Sequence, residues 1–171
     1  MRLIKQAREA EDRARKAEAK KRAHDLWERA KPAPEDHAYL KAKGVKAHGL
    51  RVHDGRLVVP LRDASGELCS LQFIAGDGQK KFLPGGRVTG RYFGVGKPDG
   101  VILIAEGVAT GATLHAATGS AVAIAFNAGN LEAVGKALRS RYPEIRLIVC
   151  ADDDAATESN PGMAKARAAA L

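Results

Sequence analysis

Apolar positions change their spacing three times along this chain, and each change predicts a different kind of element. Residues 2–31 mix Lys, Arg and Glu with an apolar face that is mostly alanine until Leu26 and Trp27. That pattern predicts one long helix whose amino-terminal half has little to pack against. Pro32 and Pro34 break it, and a short helix is predicted over Glu35–Lys43, closed by Gly44 as a helix C-cap. Between residues 50 and 96 the spacing shortens. Leu57–Leu61, Leu68–Ile74, Lys81–Leu83 and Arg91–Phe93 are short runs of strand-forming residues, separated by Asp54-Gly55, Ser65-Gly66, Gly76-Asp-Gly78, Gly85-Gly86 and Gly90. Strands punctuated this way predict an antiparallel meander.

From Val101 the apolar runs become continuous and alternate with helical stretches. Val101–Ala105, Val122–Phe126 and Arg146–Ala151 read as buried parallel strands. A helix over Thr110–Ala117, stopped at Gly119, joins the first two. A second helix, capped by Asn130 and carrying Leu131, Val134 and Leu138 on one face, joins the next pair. Asn160-Pro161 opens a last helix, with Asn as cap and Pro at the first helical position. That helix runs to Leu171 with no strand behind it, so the unit reads as truncated. Thr110 and Asn127 are read as helix caps, and Trp27 as a core anchor.

Two of these strands deliver carboxylates. Val101–Ala105 leads into Glu106-Gly107, and Leu147–Ala151 leads into Asp152, Asp153 and Asp154. If the strands are parallel neighbours, these acids share the edge at which open α/β sheets bind ligands. Carboxylates about 5 Å apart repel by roughly 3 kcal/mol at an effective dielectric near 20. A divalent cation removes that cost, and Mg²⁺ is held by a few carboxylates with positions left for water and phosphate.

Charge sharpens this picture. The 171 residues carry a net charge of +8, and they are enough chain for a real core in one domain, or in one domain plus an appendage. Residues 1–31 hold 11 Lys/Arg against 6 Asp/Glu, residues 32–100 hold 11 against 7, and residues 101–171 hold 6 against 7. A basic surface beside an acidic pocket suits a polyanion, nucleic acid above all. Cys69 and Cys150 lie far apart inside apolar runs, which excludes a disulfide scaffold and offers no zinc spacing. The five histidines, 24, 37, 48, 53 and 115, lack metal-like spacing and read as structural or surface residues. Only 8 aromatic residues are present, and no stripe of alternating basic and aromatic residues marks a single-strand groove. Without a membrane-length apolar run or a signal-peptide core, a cytoplasmic protein is expected.

Glu106-Gly107, followed some 45 residues later by Asp152-x-Asp154, each at the end of an apolar strand and with helix, strand and helix between, resembles the Toprim domain of bacterial DnaG-type primases, topoisomerases and certain nucleases. Ala105-Glu-Gly-Val-Ala-Thr110, Ala125-Phe-Asn-Ala-Gly-Asn-Leu131, Ala151-Asp-Asp-Asp154 and Asn160-Pro-Gly162 narrow the resemblance to the primases of phages and conjugative plasmids. His37-Ala-Tyr-Leu-Lys-Ala-Lys-Gly44, Arg56-Leu-Val-Val-Pro-Leu61 and Gly78-Gln-Lys-Lys-Phe-Leu83 extend it upstream, over roughly residues 20–171. The resemblance implies an α/β Toprim sheet, Rossmann-like and flanked by helices, preceded by a small β-rich subdomain and an amino-terminal helix. It divides the chain into a basic connector (1–31), a primase subdomain (32–100) and a Toprim catalytic domain (101–171).

The resemblance also implies roles. Glu106 would position metal and assist proton removal from the attacking 3′-hydroxyl. Asp152 and Asp154, with Asp153 as a third ligand, would bind Mg²⁺ or Mn²⁺ against the triphosphate. Lys81 and Arg56 would contact phosphates of the nucleotide or template, and Lys80, Arg87 and Arg91 would extend that basic track. The partners implied are single-stranded DNA, NTPs, and a helicase. The zinc ribbon usual in this group is not in the sequence. The leading expectation is a primase core making short RNA on single-stranded DNA. A Toprim nuclease using the same carboxylates, and a non-catalytic nucleic-acid-binding module, are the alternatives. A topoisomerase is not expected, because its tyrosine-bearing domain has no counterpart in this length.

Overall fold

The computed structural model describes residues 2–150 and 161–170. Helix α1 spans Arg2–Arg29. It docks through Ala19, Ala23, Leu26 and Trp27, with Ala30 just beyond it, onto Val58, Leu68, Leu71 and Leu83. Small side chains at the contact let the helix lie close to the sheet beneath. The helix ends two residues short of its predicted limit because Lys31–Pro32 forms strand β1. This strand pairs with β2, Arg51–His53. Both strands are too short to leave an alternating pattern, and neither was expected. Helix α2, Ala38–Lys43, starts three residues later than predicted because the His37 ring accepts the Tyr39 amide at 3.3 Å and caps it. Its C-cap is Gly44, in the left-handed conformation at φ 65°.

Strands β3 (Arg56–Arg62), β4 (Leu68–Ile74) and β5 (Lys80–Phe82) complete an antiparallel sheet in the order β1-β2-β3-β4-β5. Asp54 and Gly55, at φ 48° and 70°, make the β2–β3 turn, as a tight hairpin requires. Both faces of this sheet are covered. Val58, Leu68 and Leu71 face α1, while Leu57, Val59 and Ile74 face a second sheet.

The second sheet holds β6 (Phe93–Val95), β7 (Val101–Ala105), β8 (Ala121–Ile124) and β9 (Arg146–Cys150) in the order β6-β8-β7-β9. Strands β7, β8 and β9 are parallel, and β6 runs antiparallel to β8. The expected fourth meander strand therefore belongs elsewhere. Residues 93–95 leave the first sheet for the second, and only a two-hydrogen-bond bridge between Arg62 and Tyr92, each 3.0 Å, links the sheets there. Helix α3 (Val108–Thr118) shares one face of the second sheet with the first sheet. Helices α4 (Leu131–Arg141) and α5 (Pro161–Ala170) cover the other face through Leu131, Val134, Leu138 and Ala166. Gly111 of α3 lies against Ile124 so tightly that a methyl group there would collide with it. Among the described residues no helix is long and apolar enough to cross a membrane.

Candidate active site at the carboxyl edge of the second sheet

Parallel strands end together, and here they end in register. Ala105 pairs with Cys150 of β9, and its carbonyl accepts the Ala125 amide at 2.8 Å. Glu106 follows Ala105 directly, half-buried, with one carboxylate oxygen shielded from solvent. Asp152, Asp153 and Asp154 follow Cys150 in sequence but lie outside the described residues, as does Asn160.

Strand β5 of the first sheet lies across this edge. Its side chains alternate, so Lys80 and Phe82 face the second sheet and Lys81 faces the opposite way. At Gly107 a side chain would meet Lys80 Nζ and Thr110 Oγ1, each at 3.9 Å. Phe82 meets Phe126, just beyond β8, with ring centroids 6.0 Å apart and planes at 72°. A lysine thus sits at the Glu106-Gly107 turn, and an aromatic pair sits at the end of the next strand.

The rest of the expected basic track is dispersed. Arg56 and Lys81 share the α1-facing side of the first sheet with Phe73, which pairs with Lys81 and lies 5.2 Å beneath the Arg56 guanidinium. Arg87 is exposed on loop 84–91. Arg91 is half-buried, donates to the Thr89 carbonyl at 2.7 Å, and acts on Asp63. Burial pushes the Asp63 carboxyl up, but hydrogen bonds from Ser65 and the Glu67 and Ser65 amides, with the Arg91 charge, outweigh it and hold the pKa below the ordinary value. Among the described residues no ion pair involves Arg56, Lys80, Lys81 or Arg87.

Loop 84–91 is fixed by residues whose roles the sequence hid. Asn130 was expected to cap α4, yet its side chain makes no cap hydrogen bond. Instead Oδ1 accepts the Gly90 amide at 2.7 Å, and Nδ2 donates to the Ala125, Arg91 and Val88 carbonyls at 2.8, 3.0 and 3.2 Å. At the loop's other end Arg22 donates to the Pro84 carbonyl at 2.5 Å, and Gly86 presses on buried Ser70. Tyr39 of α2 is buried, and burial pushes the pKa of its hydroxyl up, with the Ala109 amide opposing the shift.

Two other features lie apart from this edge. Asp63, Glu67 and Cys69 are the one cluster of three metal-type donors among the described residues. The Asp63 carboxylate there already accepts from Ser65 and Glu67 to close the 63–67 turn. A cavity of about 580 Å³ sits on the far face of the second sheet, lined by Ile104, Leu147, Val149 and Gly135 together with Ala168 and Ala169 of α5.

Residues 101–171 match the Toprim domain family. Two curated proteins from Escherichia coli, both DNA primase TraC, are 35% and 34% identical to the chain over 94% and 96% of its length. The chain spans only 12% and 17% of those two proteins. The primase fragment of the bacteriophage T7 primase-helicase protein shares the fold, with a TM-score of 0.57 at 18% identity, over 78% of this chain and 60% of that one.

Proposed function

We propose that the chain is a Toprim-domain primase of the plasmid and phage kind, and that it is the catalytic core of a DNA primase. It joins ribonucleotides into short RNA primers on single-stranded DNA in a reaction that depends on a divalent metal. The observation that carries this reading is β5 laid across the ends of parallel strands, which brings Lys80 to the Glu106-Gly107 turn. A carboxylate for the cation and a lysine for phosphate are thereby set side by side, as phosphoryl transfer requires.

The donor chemistry fits a hard cation. Glu106 contributes a partly shielded carboxylate oxygen at a sheet edge, and carboxylates are the ligands Mg²⁺ and Mn²⁺ prefer. Asp152, Asp153 and Asp154 are assigned the remaining places. When bound, such a cation neutralises the triphosphate and the departing pyrophosphate. Glu106 accepts the proton of the attacking 3′-hydroxyl as the new bond forms between its oxygen and the α-phosphorus. The bond from that phosphorus to the bridging oxygen breaks as pyrophosphate leaves. Lys80 offsets charge on the nucleotide phosphates. Arg56 and Lys81, on the outer face, and Arg87 and Arg91, on loop 84–91, are assigned to the template strand. In this division residues 1–31 connect, 32–100 handle nucleic acid, and 101–171 carry the chemistry. A helicase or zinc-ribbon module is the partner expected for start-site choice.

The test is incubation with single-stranded DNA, labelled NTPs and Mg²⁺ or Mn²⁺, beside an Asp152→Ala/Asp154→Ala variant. Short template-dependent RNA that vanishes in the variant is the expected result. Cleaved DNA with no RNA would assign the site to a nuclease, and neither activity would assign the chain to nucleic-acid binding alone.

A further inference from the structure

Phe126 is held in a conformation that bulky side chains rarely adopt. Its φ is 74°, in the left-handed region where a Cβ crowds the backbone and where a large residue is an outlier. Strain of this kind persists only where surrounding structure enforces it, and it gathers at functional sites. Burial alone does not account for it. Ile124, two residues earlier, is fully buried in regular strand, whereas Phe126 is only half-buried at the rim of the core. The turn ends β8 and swings the ring toward Phe82 at the sheet's carboxyl edge.

A near-perpendicular pair leaves the flat faces of its edge-on ring uncovered by its partner. The pair also stands beside the two groups already assigned to a nucleotide. Phe82 and Lys80 are two residues apart on one face of β5, about 7 Å. Glu106 follows β7, the strand next to β8, at a spacing of about 5 Å. One nucleotide therefore spans the edge, its phosphates at Lys80 and its base at the rings. We propose that Phe126, braced by Phe82, is the base-stacking residue for the incoming nucleotide. This rests on the primase reading above and adds to it the side chain that holds the base.

The test uses 2-aminopurine riboside triphosphate with Mg²⁺, whose fluorescence falls when its base stacks. The wild-type protein and Phe126→Tyr are expected to quench it. Phe126→Leu and Phe126→Gly are expected to lose the quench and bind about 5-fold or more weakly. Glycine is at ease at this φ, so an unchanged melting temperature for Phe126→Gly shows that the loss is not misfolding. Inorganic tripolyphosphate, which has no base, should bind all four proteins equally, and in primer synthesis the Leu variant should raise KM more than it lowers kcat. Wild-type quenching and affinity in Phe126→Leu and Phe126→Gly would overturn the proposal. A parallel loss of tripolyphosphate binding would overturn it too, since the ring would then shape only the phosphate site. If wild type binds tripolyphosphate but shows no quench, stacking alone fails. If it binds neither, the nucleotide reading fails with it.

Discussion

Strands β3 and β7 are both continuous apolar runs, yet they end in different company. β3 lies in an antiparallel sheet, where β2 and β4 run the other way, so neighbouring strands deliver their next residues to opposite edges. β7 lies between parallel neighbours, so the residues just past β7, β8 and β9 all emerge at one edge. The first sheet therefore disperses its polar residues while the second gathers them. The contrast teaches that chemistry concentrates where strand direction is shared, and that the antiparallel sheet contributes by laying one short strand across that place.

The largest expected effect tests the gathering edge itself. Glu106→Gln keeps the side chain's shape and removes its charge and basicity. Primer synthesis should fall by about 10²–10⁴-fold on a radiolabelled gel, with the melting temperature nearly unchanged. Full activity in this variant would remove the edge from the chemistry.

Next comes the seam between the regions. Asn130→Ala removes four hydrogen bonds that tie loop 84–91 to the end of β8 and leaves buried carbonyls unpaired. Urea unfolding should show a loss of about 3 kcal/mol. A loss under about 1 kcal/mol would mean that the loop is not held at the edge by this residue.

A smaller and more pointed comparison sets adjacent lysines against each other. Lys80→Gln should raise the KM for nucleotide about tenfold, on the order of 1.4 kcal/mol. Lys81→Gln should leave that KM alone and weaken template binding instead, because the two side chains leave β5 on opposite faces. Equal effects on nucleotide KM would erase the distinction.

The smallest effect concerns the packing of the loop after α2 on α3. Burial, and then the His115 charge, hold the His48 pKa below its ordinary 6.5, with Lys46 adding to and Glu35 opposing the shift. The unfolded chain therefore binds a proton more readily than the folded one. This stabilisation is present above pH 6.5 and is lost as the pH falls through the range below it. The melting temperature should drop a little between pH 7.5 and 5.5, and His48→Gln should flatten that drop.

Much of this arrangement was legible because period and strand direction are written in apolar spacing. The runs at Val101, Val122 and Arg146 are long, continuous and separated by helical stretches, so the parallel edge and Glu106's place on it could be read directly. Strand β6 was misplaced because three residues carry no mark of their partner, and β1 and β2 were missed for the same reason. Asn130 looked like a cap because its position was right, while its true partners lie some 40 residues upstream. The resemblance groups Arg56 and Lys81 with Lys80 as one basic track. Period-two alternation across Lys80-Lys81 separates their faces. The Arg56–Phe73 contact, and the stacking of Arg51 and Arg62 guanidiniums on Trp27 at 4.4 and 5.7 Å, join residues far apart in the chain, so no linear stripe announced them. Phe126 was invisible for a different reason: a backbone angle leaves no trace in composition.

The brevity of β5 has a consequence for how the edge behaves in time. The strand is three residues long, and among the described residues its only ladder partner is β4. Detaching it breaks few hydrogen bonds and uncovers little apolar surface, so its local opening should cost far less than global unfolding. Backbone amides at Lys80–Phe82 should trade hydrogen for deuterium well before those of β7. A nucleotide bridging Lys80 and the Glu106 turn should slow that exchange, making a short edge strand the one that reports occupancy.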